Sequence, residues 1–267
     1  MHISQTSNNT PSLGVGFRYS SYGPAYNPGA EYWARVGQGM VRRFPGATPE
    51  VIWIVGVLEG QGTHLSFPGS CDEPYISFSV QDENQNALDL FDRLGFRVWL
   101  QVEPGDSKVD TLFDLILTRY GNHPCVVGAG VDVEWHHSFK KPEGMPVSDS
   151  EACGWLAAAR MHNLQYRLFL KHWETRMLPP TQRDGTLFVD DSQMFSSLDH
   201  MLAEFADWGR HYYPAPVAFQ FGYPADKKWW GKFPDPAREI GEAILKAVPN
   251  AMGLYWVDFT ALEVFPP

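Results

Sequence analysis

Short apolar runs alternate with amphipathic segments along almost the whole chain, and no other feature limits its possible folds so strongly. Eight runs have the length and residue type of buried strands: LGVGFRYS (13–20), VIWIVGVLEG (51–60), FRVWLQVEP (96–104), CVVGAGVDVEW (125–135), YRLFLKHW (166–173), LFVDDSQ (187–193), PVAFQFGYP (216–224) and MGLYWVDF (252–259). The segments 31–44, 83–95, 109–121, 148–163, 196–212 and 235–248 between them place apolar residues near i, i+3, i+4 and i+7, the spacing of a helix with one buried face. SDSE at 148–151 has the spacing of a capping box, with Ser148 as N-cap and Glu151 three residues on. Ser196 and Ser197 are better placed than Asp190 and Asp191 to cap the helix that follows them.

Strand then helix, eight times over roughly 250 residues, is the pattern of a (β/α)8 barrel. A doubly wound open sheet is the competitor, but no GxGxxG or phosphate-binding loop follows the first strand. The expected fold class is α/β, a single-domain (β/α)8 TIM barrel over residues 1–267, with 1–12 as a flexible N-terminal segment. Residues 61–80 are too long and too β-like for a plain loop and are expected to form a hairpin or flap on strand two. The proline-rich RMLPP after strand five leaves room for only a reduced helix, and the last helix should be missing or vestigial.

The totals exclude several partners. At 44% hydrophobic and 19% charged residues the chain has ample material for a core, so disorder is not expected. A formal net charge of −10 would repel nucleic acid or an anionic membrane, and the densest basic spots are the pairs Lys140-Lys141 and Lys227-Lys228. No run reaches the ~18 apolar residues of a membrane span. The first residues show neither the basic region nor the apolar core of an export signal, so a soluble chain is expected, with cytoplasmic and secreted locations both open. Cys71, Cys125 and Cys153 show no paired spacing, which implies free thiols and no zinc knuckle. Oligomeric state is not legible.

Barrel enzymes work at the C-terminal ends of their strands, and the polar residues here gather at those ends. Strand two ends in Glu59, strand three in Gln101 and Glu103, and strand four in Asp132, Glu134 and His136. Strand five ends in Lys171 and His172, strand six in Asp190 and Asp191, strand seven in Gln220, and strand eight in Trp256 and Asp258. Alternation puts Gln101 with Glu103, and Asp132 with Glu134 and His136, on shared faces. If those faces point inward, the mouth is lined with acids, each costing several kcal/mol if buried without a partner. Glycoside hydrolysis has a use for them: one protonated carboxylic acid beside the leaving oxygen, and one carboxylate as nucleophile, base or stabiliser. Crowding separates their pKa values and so divides the two roles.

VGAGVDVEW also resembles the inner half of the strand-four motif DGxDxDxE of family 18 glycoside hydrolases, the chitinase type, with Glu134 at the acid and Asp132 at the preceding aspartate. Val127 and Gly130 stand where that motif has its outer aspartates. The D-x-E is similar, too, to the acid pair of family 25 lysozymes, although GVGFRYS lacks the aspartate of their first strand. The resemblance spans about nine residues. It implies that Glu134 protonates the glycosidic oxygen while Asp132 orients a substrate acetamido group or a water.

The expected activity is therefore cleavage of a poly- or oligosaccharide, with Glu134, Asp132 and Asp191 catalytic. Gln101, Glu103, Tyr19, His136, Trp173, Gln220, Tyr223, Trp256 and Asp258 are expected to bind the carbohydrate, its apolar faces stacking on the flat rings. No cofactor and no metal is expected on this reading. Trp135, Trp229 and Trp230 are further aromatic candidates, the last two as platform or rim packing. Three alternatives stand beside it. Asp132 and Glu134 could form a structural ion-pair network with Arg18, Lys171 or His172. They could join His136 and His172 or Asp191 around zinc or manganese in a metal-dependent hydrolase or isomerase. The barrel could also bind carbohydrate without turning it over.

Overall fold

The computed structural model describes residues 12–267; the expected flexible segment 1–12 therefore lies, except for Ser12, outside the described residues. Eight parallel strands close a barrel: β1 (Gly14–Tyr19), β2 (Thr48–Glu59), β5 (Arg97–Val102), β6 (Val126–Asp132), β7 (Arg167–Lys171), β8 (Thr186–Asp190), β9 (Val217–Phe221) and β10 (Ala251–Val257). Each pairs with the next, and β1 closes the ring by pairing with both β10 and β2. Every expected strand and helix is present. The helices are α1 (Ala30–Arg43), α2 (Gln85–Leu94), α3 (Val109–Tyr120), α4 (Asp149–His162), α5 (Leu198–Tyr212), the short α6 (Lys227–Trp230), α7 (Pro236–Ala247) and the four-residue α8 (Ala261–Val264). Between β7 and β8 there is only a single 3-10 turn at Thr175–Met177, as RMLPP implied.

Local chemistry sets the boundaries. Ser148 and Glu151 form the capping box of α4, each side chain bonding the other's backbone N–H. Ser197 caps α5, so Asp190 and Asp191 are free of that duty. The insertion after β2 supplies β3 (Gly62–Leu65), antiparallel to β2, and β4 (Ile76–Phe78), parallel to β3, which together make the expected flap.

Two apolar layers result. Outward side chains of the strands pack against the helices, while Ile52, Trp99, Phe169, Leu187, Val189, Ala218 and Tyr255 fill the barrel itself. The small residues at 128–130 leave no open space in the barrel. A Cβ on Gly130 would lie 2.1 Å from the ring of Phe169, so that ring already takes the room. The three cysteines are free, Cys125 buried and Cys153 exposed. No helix of the described residues is long and apolar enough to cross a membrane.

Candidate active site

At the C-terminal mouth, above the apolar filling, lies a cavity of about 150 Å³ lined by Arg18, Tyr22, Ile54, Glu103, Asp132, Glu134, Trp135, Lys171, Asp191, Gln193, Tyr223 and Phe259. Of the expected residues, Glu134, Asp132, Asp191, Glu103 and Tyr223 line it.

Three ionic clusters build its walls. Lys171, inward at the end of β7, sits 2.7 Å from Asp132 and 2.5 Å from Asp191. Burial opposes its charge, but the two carboxylates outweigh that and hold its pKa well above the usual lysine value. Arg18, inward on β1, donates to Asp258 (2.8 Å) and Ser20 Oγ (2.7 Å), and Ser20 N and Oγ close on the other Asp258 oxygen. Glu103 takes the Tyr22 hydroxyl and the Leu58 N–H (2.8 Å) on the same oxygen, Oε2.

Glu134 differs from these. β6 ends at Asp132, and Glu134 stands on the one-turn 3-10 helix Val133–Trp135 beyond it, so the two acids do not share a strand face as alternation implied. They meet at the same cavity because the turn folds back over the strand end. No side-chain hydrogen bond or ion pair engages the Glu134 carboxyl among the described residues. Burial raises its pKa above the usual glutamate value, Lys171 draws it down, and Asp191 and Glu103 push it up again. Burial likewise lifts Asp132 well above the usual aspartate value against the pull of Lys171.

Three expected residues lie behind the walls. Gln101 and Gln220 are fully buried, one donating toward Asp132 at 3.4 Å and the other accepting from Tyr223 at 3.1 Å, and Asp258 anchors Arg18. Asp132 Oδ1, Asp191 Oδ1, Gln101 Oε1 and Gln220 Nε2 are buried without a partner in the structure. Leaving such atoms unpaired is costly, so this polar layer under the cavity is not accounted for by the protein's own hydrogen bonds among the described residues.

Four expected residues are placed elsewhere. Tyr19 and Trp256 point outward: Tyr19 stacks on Trp53 at 3.9 Å, and Trp256 is fully buried with its N–H on Thr260. Trp173 stacks on His172 and faces a separate groove above α5. His136 is buried against Trp155, with Nδ1 on the Met145 carbonyl at 3.1 Å. It and His137 pin the turn that carries Glu134. Gly105 bridges His136 as a one-residue extension of the β5–β6 pairing, and His137, at φ 54°, donates its N–H to Gly105 O and meets Asp106 at 2.7 Å. Gly144 permits the return of the loop, since a Cβ there would lie 2.5 Å from Val133 O.

The metal alternative loses its donors by the same geometry. His172 accepts from Glu174 N, His136 faces away, and the Lys171 ammonium lies between the two aspartates. Among the described residues the one group with three convergent ligand atoms is Asp89, Asp92 and His123, away from the mouth and already hydrogen-bonded internally. Trp229 and Trp230 are buried rim packing rather than an exposed platform, their N–H groups on Phe195 O and Tyr223 O.

Sequence reasoning weighed Arg18 and Lys171 only as structural partners and missed Tyr22, Gln193 and Phe259. Arg18 shares a strand face with Gly14 and Gly16, and Lys171 with Phe169, but the sequence does not say which face of either strand is the inner one.

No family model and no curated protein sequence matches the chain. Solved structures do. The chain is similar to a candidate alpha-L-fucosidase from Bacteroides thetaiotaomicron, with a TM-score of 0.57 at 11% identity, covering 96% of this chain and 88% of that one. It is also similar to a beta-D-glucuronidase of Dictyoglomus thermophilum, with a TM-score of 0.54 at 11% identity over 92% of this chain and 44% of that one. At such identity the likeness is one of fold, the (β/α)8 barrel.

Proposed function

We propose that the chain hydrolyses a glycosidic bond, with Glu134 as general acid and Asp191 as the second carboxylate. The observation that carries this is Glu134 itself: a half-buried carboxyl facing the mouth cavity, without a hydrogen-bond partner among the described residues and with its pKa raised by burial. A carboxylic acid held protonated beside a leaving oxygen needs that environment. Asp191 follows directly on β8, a quarter of the way round the barrel from β6, lines the same cavity as Glu134 and meets Lys171 at 2.5 Å. Asp132 shares Lys171 with Asp191 and is approached by Gln101 at 3.4 Å, and on this reading it fixes that ammonium in the cavity wall. Glycosidases among the fold neighbours agree with a carbohydrate substrate. The small cavity suits one terminal ring, since drug-sized ligands occupy ~300 Å³ or more.

A panel of aryl glycosides, with and without N-acetyl groups and with chelator added in parallel, tests the reading. Turnover that survives chelation and is lost in Glu134→Gln is expected. Binding of sugars with no turnover of any substrate would instead establish a carbohydrate-binding barrel, and activity restored only by added metal would overturn the acid assignment.

A further inference from the structure

The other end of the same barrel holds a cavity of about 710 Å³ among the described residues, between the N-terminal ends of β2, β5, β6 and β7. Its lining includes Glu50, Arg97, Trp99, Asn163 and Arg167. Glu50 is fully committed: one oxygen accepts from Tyr255 at 2.5 Å and the other meets Arg97 Nε at 2.6 Å. Arg97 also donates to Ser12, at 2.9 Å to the carbonyl and 3.2 Å to the hydroxyl.

Arg167 has no such closure. Among the described residues its guanidinium makes no hydrogen bond and no ion pair; it lies over the Trp99 ring at 5.5 Å and feels Glu50 only at longer range. The indole N–H of Trp99, itself 1% exposed, also lacks an acceptor. The Arg167 guanidinium nitrogens are open to the cavity, while partial burial of the side chain draws its pKa below the usual arginine value. Two guanidinium groups thus face one carboxylate in a roomy polar cavity. Residues 1–11 contain no Asp or Glu, so the segment preceding Ser12 brings no carboxylate of its own.

We infer that this floor cavity is a binding site for a small oxyanion, a phosphate or carboxylate group gripped by the Arg167 fork. A planar guanidinium presents two parallel donors to such a group, and the anion would neutralise the excess positive charge. The site is independent of the mouth and of the activity proposed for it.

Thermal unfolding of the full chain in sodium phosphate, in sodium acetate and in sodium chloride at matched ionic strength tests the inference. Phosphate or acetate should raise Tm saturably above the chloride control, and the stronger of the two identifies the anion. Arg167→Gln should weaken the effect at least tenfold while leaving Tm in chloride unchanged or higher. Arg167→Lys, which keeps the charge and loses the fork, should weaken it several-fold. No saturable anion effect in the native chain, or an undiminished one in either variant, would overturn the site. So would a lower Tm of Arg167→Gln in chloride together with an absent anion response, which would make Arg167 a packing residue on Trp99.

Discussion

The two ends of this barrel bury charge in opposite ways. At the mouth Glu103, Asp132, Glu134, Asp191 and Asp258 share Arg18 and Lys171, so acids are in excess and one of them stands without a hydrogen bond. At the floor Arg97 and Arg167 share Glu50, so cations are in excess and one guanidinium is unmatched. Between them lies an apolar plug that keeps the two sets apart. Excess charge of either sign is unfavourable for folding alone, which separates groups serving stability, such as Glu50 with Arg97 and Tyr255, from groups retained at a cost.

The contrast can be broken or sharpened experimentally. Glu134→Gln should lower kcat/KM by about a thousandfold on whichever aryl glycoside the native chain cleaves, because a general acid contributes ~10²–10⁴. Its Tm at neutral pH should not fall; a loss of stability would place Glu134 among the structural groups. Lys171→Met strands two buried aspartates and should destabilise the fold by about 3–5 kcal/mol in urea unfolding. At the floor, Tyr255→Phe removes one bond to a carboxylate. A loss of about 1.5–3 kcal/mol with kcat unchanged is expected there, and a fall in kcat would show that the ends are not separable.

The smallest effect is in pH dependence. Glu134, Glu103 and Asp132 have raised pKa values in the fold, so between the usual carboxylate range and those raised values the native state holds more protons than the unfolded chain. Stability should fall as pH rises through that window, by at most about 1.4 kcal/mol per pH unit for each proton, and Glu134→Gln should make the slope shallower. Denaturant midpoints across the acid range would show it.

The barrel was legible because eight apolar runs and their intervening helices are set by local periodicity. The acids at the mouth were legible because charge at a strand end stands out against an apolar run. Which face of a strand points inward was not. Strands buried on both faces are apolar throughout, so alternation carries no sign: Tyr19 and Trp256 were assigned to the mouth, while their neighbours Arg18 and Tyr255 are the ones inside. The bend after Asp132 was also hidden, since it depends on contacts of His136 and His137 with residues far along the chain.

That bend gives the mouth an uneven construction. Asp132, Lys171 and Arg18 belong to the strands, and moving any of them means repacking the barrel. Glu134 rides on a single turn held by a few hydrogen bonds, with the loop 138–147 behind it. Insertions or exchanges in residues 138–147 would therefore shift the Glu134 carboxyl within the mouth while the strand-borne charges stay in place, which makes this turn the most adjustable part of the cavity wall.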